Sequence, residues 1–197
     1  LMNVTDQLIN FDIPYFYTRL DRTLFSNLVR TLSLEIANEI SVNKLAAGLE
    51  SSRGTIGEYI RILEETGYFS LCYNSYFKKM RARVSGIKKI YSLNTNLSLA
   101  MNNFDESYFN DSRILGHYAE NYAYLRLKEK GAQYYSDKNG EVDFVVGDTA
   151  YEVKFGQINN VDNYLKIARR LNKKLILLTE NEFSKTADLS SLPLYLL

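Results

Sequence analysis

Two acids and a lysine in the second half of the chain have the types and spacing to hold a cation beside a proton-handling group. Asp143 and Glu152 are separated by eight residues, and Lys154 follows two positions later. The acids lie in two runs rich in β-branched and aromatic residues, which predict strands. Gly147-Asp148 between the runs suits a two-residue turn, because glycine tolerates positive φ. The sequence therefore predicts a β-hairpin that carries all three side chains.

With that turn, Asp143 lies opposite Glu152 and Glu141 lies opposite Lys154, all four on one face. The opposite face carries apolar and aromatic residues: Val142, Phe144, Val146, Tyr151 and Val153. Facing carboxylates repel unless a cation lies between them, and hard oxygen ligands suit Mg²⁺ or Mn²⁺. Lys154 could position an attacking water or stabilise charge on phosphorus. The alternative is a solvated hairpin face with cross-strand Glu–Lys pairs.

A third carboxylate could come from a helix predicted to begin at Arg113 and to end near Lys130. Glu120 shares a helical stripe with Gly116, Ala123 and Leu127, so it lies among small and apolar residues. If that stripe packs on the sheet, Glu120 could approach the metal. The alternative is a salt-bridged or partly exposed acid. His117, the single histidine, is interpreted as a surface or packing residue.

The remaining elements predict two domains. Residues 21–100 carry three apolar-striped helical segments and two strand-like runs around a basic stretch, the order of a winged helix-turn-helix. Residues 113–197 are predicted to form an αβββαβ domain with a mixed central sheet. The predicted fold class is therefore α/β, or α+β overall. Residues 1–20 are predicted to be a linker from an upstream domain. The Asn- and Asp-rich residues 101–112 are predicted to be a connector.

Binding to nucleic acid would depend on local clusters, because the net charge is only +1. The candidate contacts are basic residues of the third helix and of the segment between the strands: Arg53, Arg61, Lys78, Lys79, Arg81, Arg83, Lys88 and Lys89. The segment from Lys78 to Lys89 contains no acid, as expected of a wing that follows a phosphate backbone. Three acids of the third helix, Glu58, Glu64 and Glu65, argue against deep groove insertion. Docking to another domain or partner is the alternative.

The hairpin resembles the signature of PD-(D/E)XK nucleases, whose fold is restriction endonuclease-like. The chain as a whole resembles the C-terminal region that follows the ATPase module in a family of uncharacterised prokaryotic AAA+ ATPases. The matching features are Asp12–Pro14, Leu45-Ala46, Thr55-Ile56, Tyr59, Leu63-Glu64, Gly67, Lys89–Tyr91, Gly116, Glu120-Asn121, Glu141–Phe144 and Glu152–Lys154. The start at Leu1 is expected of a fragment.

The resemblance implies a magnesium-dependent nuclease site in which Asp143 and Glu152 hold the metal, Glu120 assists and Lys154 handles the nucleophile. It implies DNA and an upstream AAA+ ATPase domain as partners. No G-x-x-x-x-G-K-[ST] loop is present, so ATP is expected only in that upstream domain. A second hypothesis is that the chain is a non-catalytic regulatory module of the same fold that binds DNA or protein.

A cytoplasmic location without membrane contact is expected, since the sequence has no long apolar run and a single cysteine, Cys72. DNA versus RNA and the oligomeric state stay open.

Overall fold

The chain divides into two compact units in a computed structural model that describes residues 2–76, 87–102, 104–155, 161–181, 184–185 and 189–197. The first unit comprises residues 1–71 and 88–108, and the second comprises residues 72–87 and 109–197. The break after residue 108 falls inside the predicted connector. No helix in the described part of the chain is long and apolar enough to cross a membrane.

The first unit combines helices with a small sheet. Its helices are α1 (Met2–Gln7), α2 (Ile13–Phe16), α3 (Arg22–Leu34), α4 (Val42–Gly48), α5 (Arg53–Glu65) and α6 (Thr95–Met101), with a π-helical turn, Leu8–Asp12, between α1 and α2. Its strands are β1 (Glu39–Ile40), β2 (Phe69–Tyr73) and β3 (Lys88–Ser92), in the order β1-β3-β2. β1 and β3 run antiparallel.

Local capping explains where the two longest helices of this unit begin. The Asp21 side chain accepts a hydrogen bond of 3.0 Å from the Leu24 amide at the start of α3. The Ser52 hydroxyl oxygen likewise accepts a hydrogen bond of 3.0 Å from the Thr55 amide at the start of α5. These bonds satisfy amides that the first helical turn leaves without backbone acceptors.

The prediction of a linker at residues 1–20 is wrong for most of that segment. The segment is helical from Met2 to Phe16, and one stripe of it is buried in the first unit: Thr5 is 1% exposed, Ile9 0% and Ile13 3%. These three residues recur every four positions, the spacing of one helix face. The polar residues around them obscure the stripe.

The second unit is built on a mixed six-stranded sheet. Its elements are α7 (Ser112–Leu127), β4 (Gln133–Asp137), β5 (Gly140–Val146), β6 (Thr149–Lys154), α8 (Val161–Arg170), β7 (Lys174–Thr179), β8 (Ser184–Lys185) and β9 (Leu189–Pro193). The strand order is β4-β5-β6-β7-β9-β8. Pairing is antiparallel from β4 to β6, parallel from β6 through β7 to β9, and antiparallel between β9 and β8. The predicted mixed sheet and element order are confirmed, and β8 and β9 extend them.

A register shift between β4 and β5 changes which residues share a face. Gln133 pairs with Val145 and Tyr135 with Val142, so β5 contains one extra residue, as in a β-bulge. Val142 therefore joins the apolar cluster that packs against α8. The predicted common face for Val142 and Phe144 is wrong.

Phe144 instead lies on the other side of the sheet. Its ring centroid is 6.1 Å from that of Tyr124 on α7. Helix α7 thus covers the Phe144 side, and α8 covers the side that carries Val142, Val145 and Ala150. The sheet is packed on both faces, which buries its central strands.

Candidate functional site

The β5–β6 hairpin has the predicted register. Phe144 pairs with Tyr151, and Val146 pairs with Thr149 next to the turn. Gly147 has φ +55°, the left-handed conformation for which the turn was predicted to need glycine. This register brings the two candidate ligands next to each other.

Asp143 and Glu152 are in direct contact through their backbone and side chains. The Asp143 amide donates to Glu152 Oε2 over 3.3 Å, and the Val153 amide donates to Asp143 Oδ2 over 2.8 Å. Asp143 is 8% exposed and Glu152 4%. Burial of both acids rules out the alternative of a solvated hairpin face. The backbone amides hold each carboxylate in a fixed position, which preorganises the pair.

Lys154 forms an ion pair with Glu152 of its own strand, not the cross-strand Glu–Lys pair of the alternative interpretation. Its Nζ lies 2.7 Å from Glu152 Oε1, and its side chain is 24% exposed. In β6, Ala150 faces α8, so the alternation along the strand directs Glu152 and Lys154 to the same side. The lysine ammonium is therefore the counter-ion of a largely buried carboxylate.

Tyr164 on α8 is a member of the site that the sequence reasoning missed. Lys154 Nζ lies 4.7 Å from the centroid of its ring, within the range of a cation–π contact. The Tyr164 hydroxyl also interacts by hydrogen bonding with Lys154 and Glu152. The signal was present in the sequence, since Val161, Tyr164 and Leu165 form an apolar stripe directly after the hairpin.

The electrostatics reflect two buried acids that share one ammonium. Burial raises the pKa of Glu152, the adjacent Asp143 carboxylate raises it further, and Lys154 partly offsets both effects. Burial alone would lower the pKa of Lys154, but the Glu152 carboxylate and the hydrogen bonds with Glu152 and Tyr164 hold it above its ordinary value. With both acids ionised the three groups carry one excess negative charge, which a proton or a metal cation would offset.

Glu120 is buried on α7 with 9% exposure, as its stripe predicted. That helix contacts the Phe144 side of the sheet, whereas Glu152 points to the α8 side. In the described ranges no three Asp, Glu, His or Cys side chains form a group able to hold a metal. Of the three predicted ligands, the structure thus brings together Asp143 and Glu152.

The predicted nucleic-acid contacts have different environments. Lys78, Lys79, Arg81 and Arg83 lie outside the described residues. Arg53 is exposed at the start of α5. Arg61 pairs with Glu65 over 2.6 Å, both side chains being about half exposed.

The two lysines of β3 are less accessible. Burial lowers the pKa of half-buried Lys88, an effect that the nearby Glu64 carboxylate opposes. Lys89 is only 5% exposed, whereas a phosphate contact needs an exposed ammonium group. Among the described candidates, Arg53 and Arg61 are the ones on the surface.

Comparison with known proteins yields one match. The model of a family described as a domain of unknown function, DUF8612, matches residues 1–108. The match ends at the residue where the first unit ends, so the Asp143–Glu152 site lies outside it. No curated protein and no solved structure matches the chain significantly. Because the matched residues make up more than half of the chain, the protein belongs to the DUF8612 family.

Proposed function

We propose that this chain is a nucleic-acid-associated C-terminal module of an AAA+ ATPase, and that its second unit is a PD-(D/E)XK nuclease-like domain with a magnesium-dependent phosphodiesterase site. One observation carries the proposal: Asp143 and Glu152 are buried in contact with each other, with Lys154 beside them. Burying two adjacent carboxylates is costly, so such a pair indicates a functional constraint.

The donor set suits Mg²⁺, which binds through one or two carboxylates and keeps several waters. Asp143 and Glu152 would hold the ion. Bound Mg²⁺ would supply Lewis-acid stabilisation of a phosphoryl oxygen and lower the pKa of a coordinated water. Lys154 would orient the attacking water or stabilise the charge that builds on phosphorus. Glu120 stays a predicted assisting residue.

The predicted winged helix-turn-helix, residues 21–100, would contribute binding. Its helices α3, α4 and α5 followed by strands β2 and β3 support a winged helix-turn-helix, with exposed Arg53 on the predicted recognition helix. The basic residues between Phe77 and Ser85 would follow a phosphate backbone. DNA is the preferred partner. An upstream AAA+ ATPase domain, which would bind ATP, is the proposed protein partner.

A cleavage assay tests the proposal on supercoiled plasmid and on single-stranded DNA and RNA, with Mg²⁺ or Mn²⁺. Asp143→Asn and Lys154→Met should each lower the cleavage rate by about 100-fold or more, because each removes a group required in the transition state. Glu141→Gln is the matched control, a half-buried acid of the same hairpin, and should cleave like the wild type. Equal cleavage by wild type and Asp143→Asn would reject the nuclease.

The second candidate function is a non-catalytic module that binds DNA or protein. The Lys154–Glu152 ion pair favours it, because an internal ammonium already supplies part of the charge that a metal would supply. Calorimetric titration with Mn²⁺ separates the two functions. Binding by the wild type that Asp143→Asn abolishes supports the metal site, and no binding by either supports the non-catalytic module.

A gel-shift experiment tests nucleic-acid binding by the predicted winged helix-turn-helix. Replacing Lys78, Lys79, Arg81 and Arg83 by glutamine should weaken binding in a salt-dependent way, because each lost phosphate contact removes counterion release. Replacing Arg126, Lys130, Lys138 and Lys174, four exposed basic residues outside the predicted winged helix-turn-helix, removes the same number of positive charges and is the matched control. Binding that is unchanged in the quadruple variant would remove this segment from the interface.

A further inference from the structure

Tyr164 contacts the candidate site from an element that the hairpin sequence does not include. It lies on α8, ten residues after Lys154, and it is partly buried against the apolar cluster under that helix. Its ring lies beneath the Lys154 ammonium, with 4.7 Å from Nζ to the ring centroid. A partly buried tyrosine usually needs a partner for its hydroxyl, and here the partners are Lys154 and Glu152.

The ammonium of Lys154 is thus restrained by two groups, Glu152 and Tyr164. Glu152 Oε1 holds it from one side at 2.7 Å, and the Tyr164 ring holds it from another. A lysine side chain has four rotatable bonds and loses substantial rotamer entropy when it is fixed.

We propose that Tyr164 is a positioning residue that holds the Lys154 ammonium at the site by its ring and its hydroxyl, in addition to the ion pair with Glu152. The inference rests on the proposed function for its catalytic consequence, but the restraint on Lys154 exists without catalysis. Tyr164 acts through Lys154, so it is not itself assigned a catalytic role. Its loss should release the ammonium rather than unfold the domain.

Chemical labelling tests the restraint without any activity. The full chain is treated with a limiting amount of an amine-acylating reagent, and the extent of modification at each lysine is measured by mass spectrometry. Relative to the exposed Lys174, Lys154 should react several times faster in Tyr164→Leu than in the wild type, with Tyr164→Phe in between because it keeps the ring. Tyr122→Phe, at an exposed position of α7, is the matched control and should leave the Lys154 rate unchanged.

A double-mutant cycle tests the catalytic consequence. Tyr164→Phe should lower kcat by about 10-fold with little change in KM, since a misplaced lysine is missed in the transition state and not in substrate binding. In a Lys154→Met background the same substitution should have no further effect, because the residue it positions is gone.

The two measurements separate the possible failures. Equal labelling of Lys154 in wild type and Tyr164→Leu overturns the positioning role, whatever the activity. Equal losses of kcat caused by Tyr164→Phe with and without Lys154 also overturn it. Absence of cleavage by the wild type together with faster labelling in Tyr164→Leu rejects the nuclease and supports the restraint.

Discussion

Replacing Glu152 by glutamine should remove a pH-dependent loss of stability. Burial, followed by the neighbouring Asp143 carboxylate, raises the pKa of Glu152 from 4.5 to about 8 in the folded protein, with Lys154 acting in the opposite direction. In the unfolded chain the group titrates near its ordinary value. Between these two values the folded protein binds a proton that the unfolded chain has released.

The sign and size follow from proton linkage. The contribution of protonated Glu152 is fully present below pH 4.5 and is lost as the pH rises toward 8. Within this window each pH unit costs about 1.4 kcal/mol of unfolding free energy, so the total loss is on the order of a few kcal/mol. Glutamine resembles the protonated acid in size. It has no proton to release and therefore stays neutral as the pH rises. Glu152→Gln should therefore match the wild type near pH 5 and be the more stable protein near pH 8.

Urea denaturation from pH 5 to pH 9, without divalent cations, measures this difference. Tyrosine fluorescence is a suitable signal because the chain has 16 tyrosines and no tryptophan. Two transitions would be assigned to the two units and analysed separately. Glu141→Gln serves as the control and should keep the wild-type pH dependence. If Glu152→Gln is destabilised equally at pH 5 and pH 8, the reasoning about buried repulsion is wrong.

Three further predictions concern the second unit, and a fourth concerns the first unit. Mg²⁺ at about 100 times its dissociation constant should raise the unfolding free energy of the wild type at pH 8 by about 2.7 kcal/mol. The unfolding free energy of Asp143→Asn should not change, and thermal denaturation measures both. Asp143→Ala should be about 1–3 kcal/mol less stable than Asp143→Asn in urea, because only alanine deprives the buried Val153 amide of its acceptor; equal stabilities would contradict this. Gly140→Ala should cost about 1–3 kcal/mol, since φ is +140° and the added Cβ would lie 2.7 Å from Ile167 Cδ1. Gly57→Ala in α5, where the added carbon meets nothing within 4 Å, should instead stabilise by about 0.5–1 kcal/mol.

Local sequence signals predicted most of the elements and the core of the site. The caps Asp21 and Ser52 and the Gly147-Asp148 turn are set by interactions within a few residues. The turn fixes the hairpin register, and the register brings Asp143 to Glu152. For these features neighbouring residues supply enough of the free energy to decide the conformation.

Other features depended on contacts between distant segments. The extra residue in β5 is defined only by the pairing of β5 with β4. It places Val142 on the face of the sheet that α8 covers. The approach of Tyr164 to Lys154 required α8 to pack on the sheet, and the burial of both acids required segments outside the hairpin. The sequence by itself determined which residues form the hairpin and its turn. Only the tertiary structure decided how deeply the acids are buried and which groups offset their charge, because desolvation depends on every segment that packs around them.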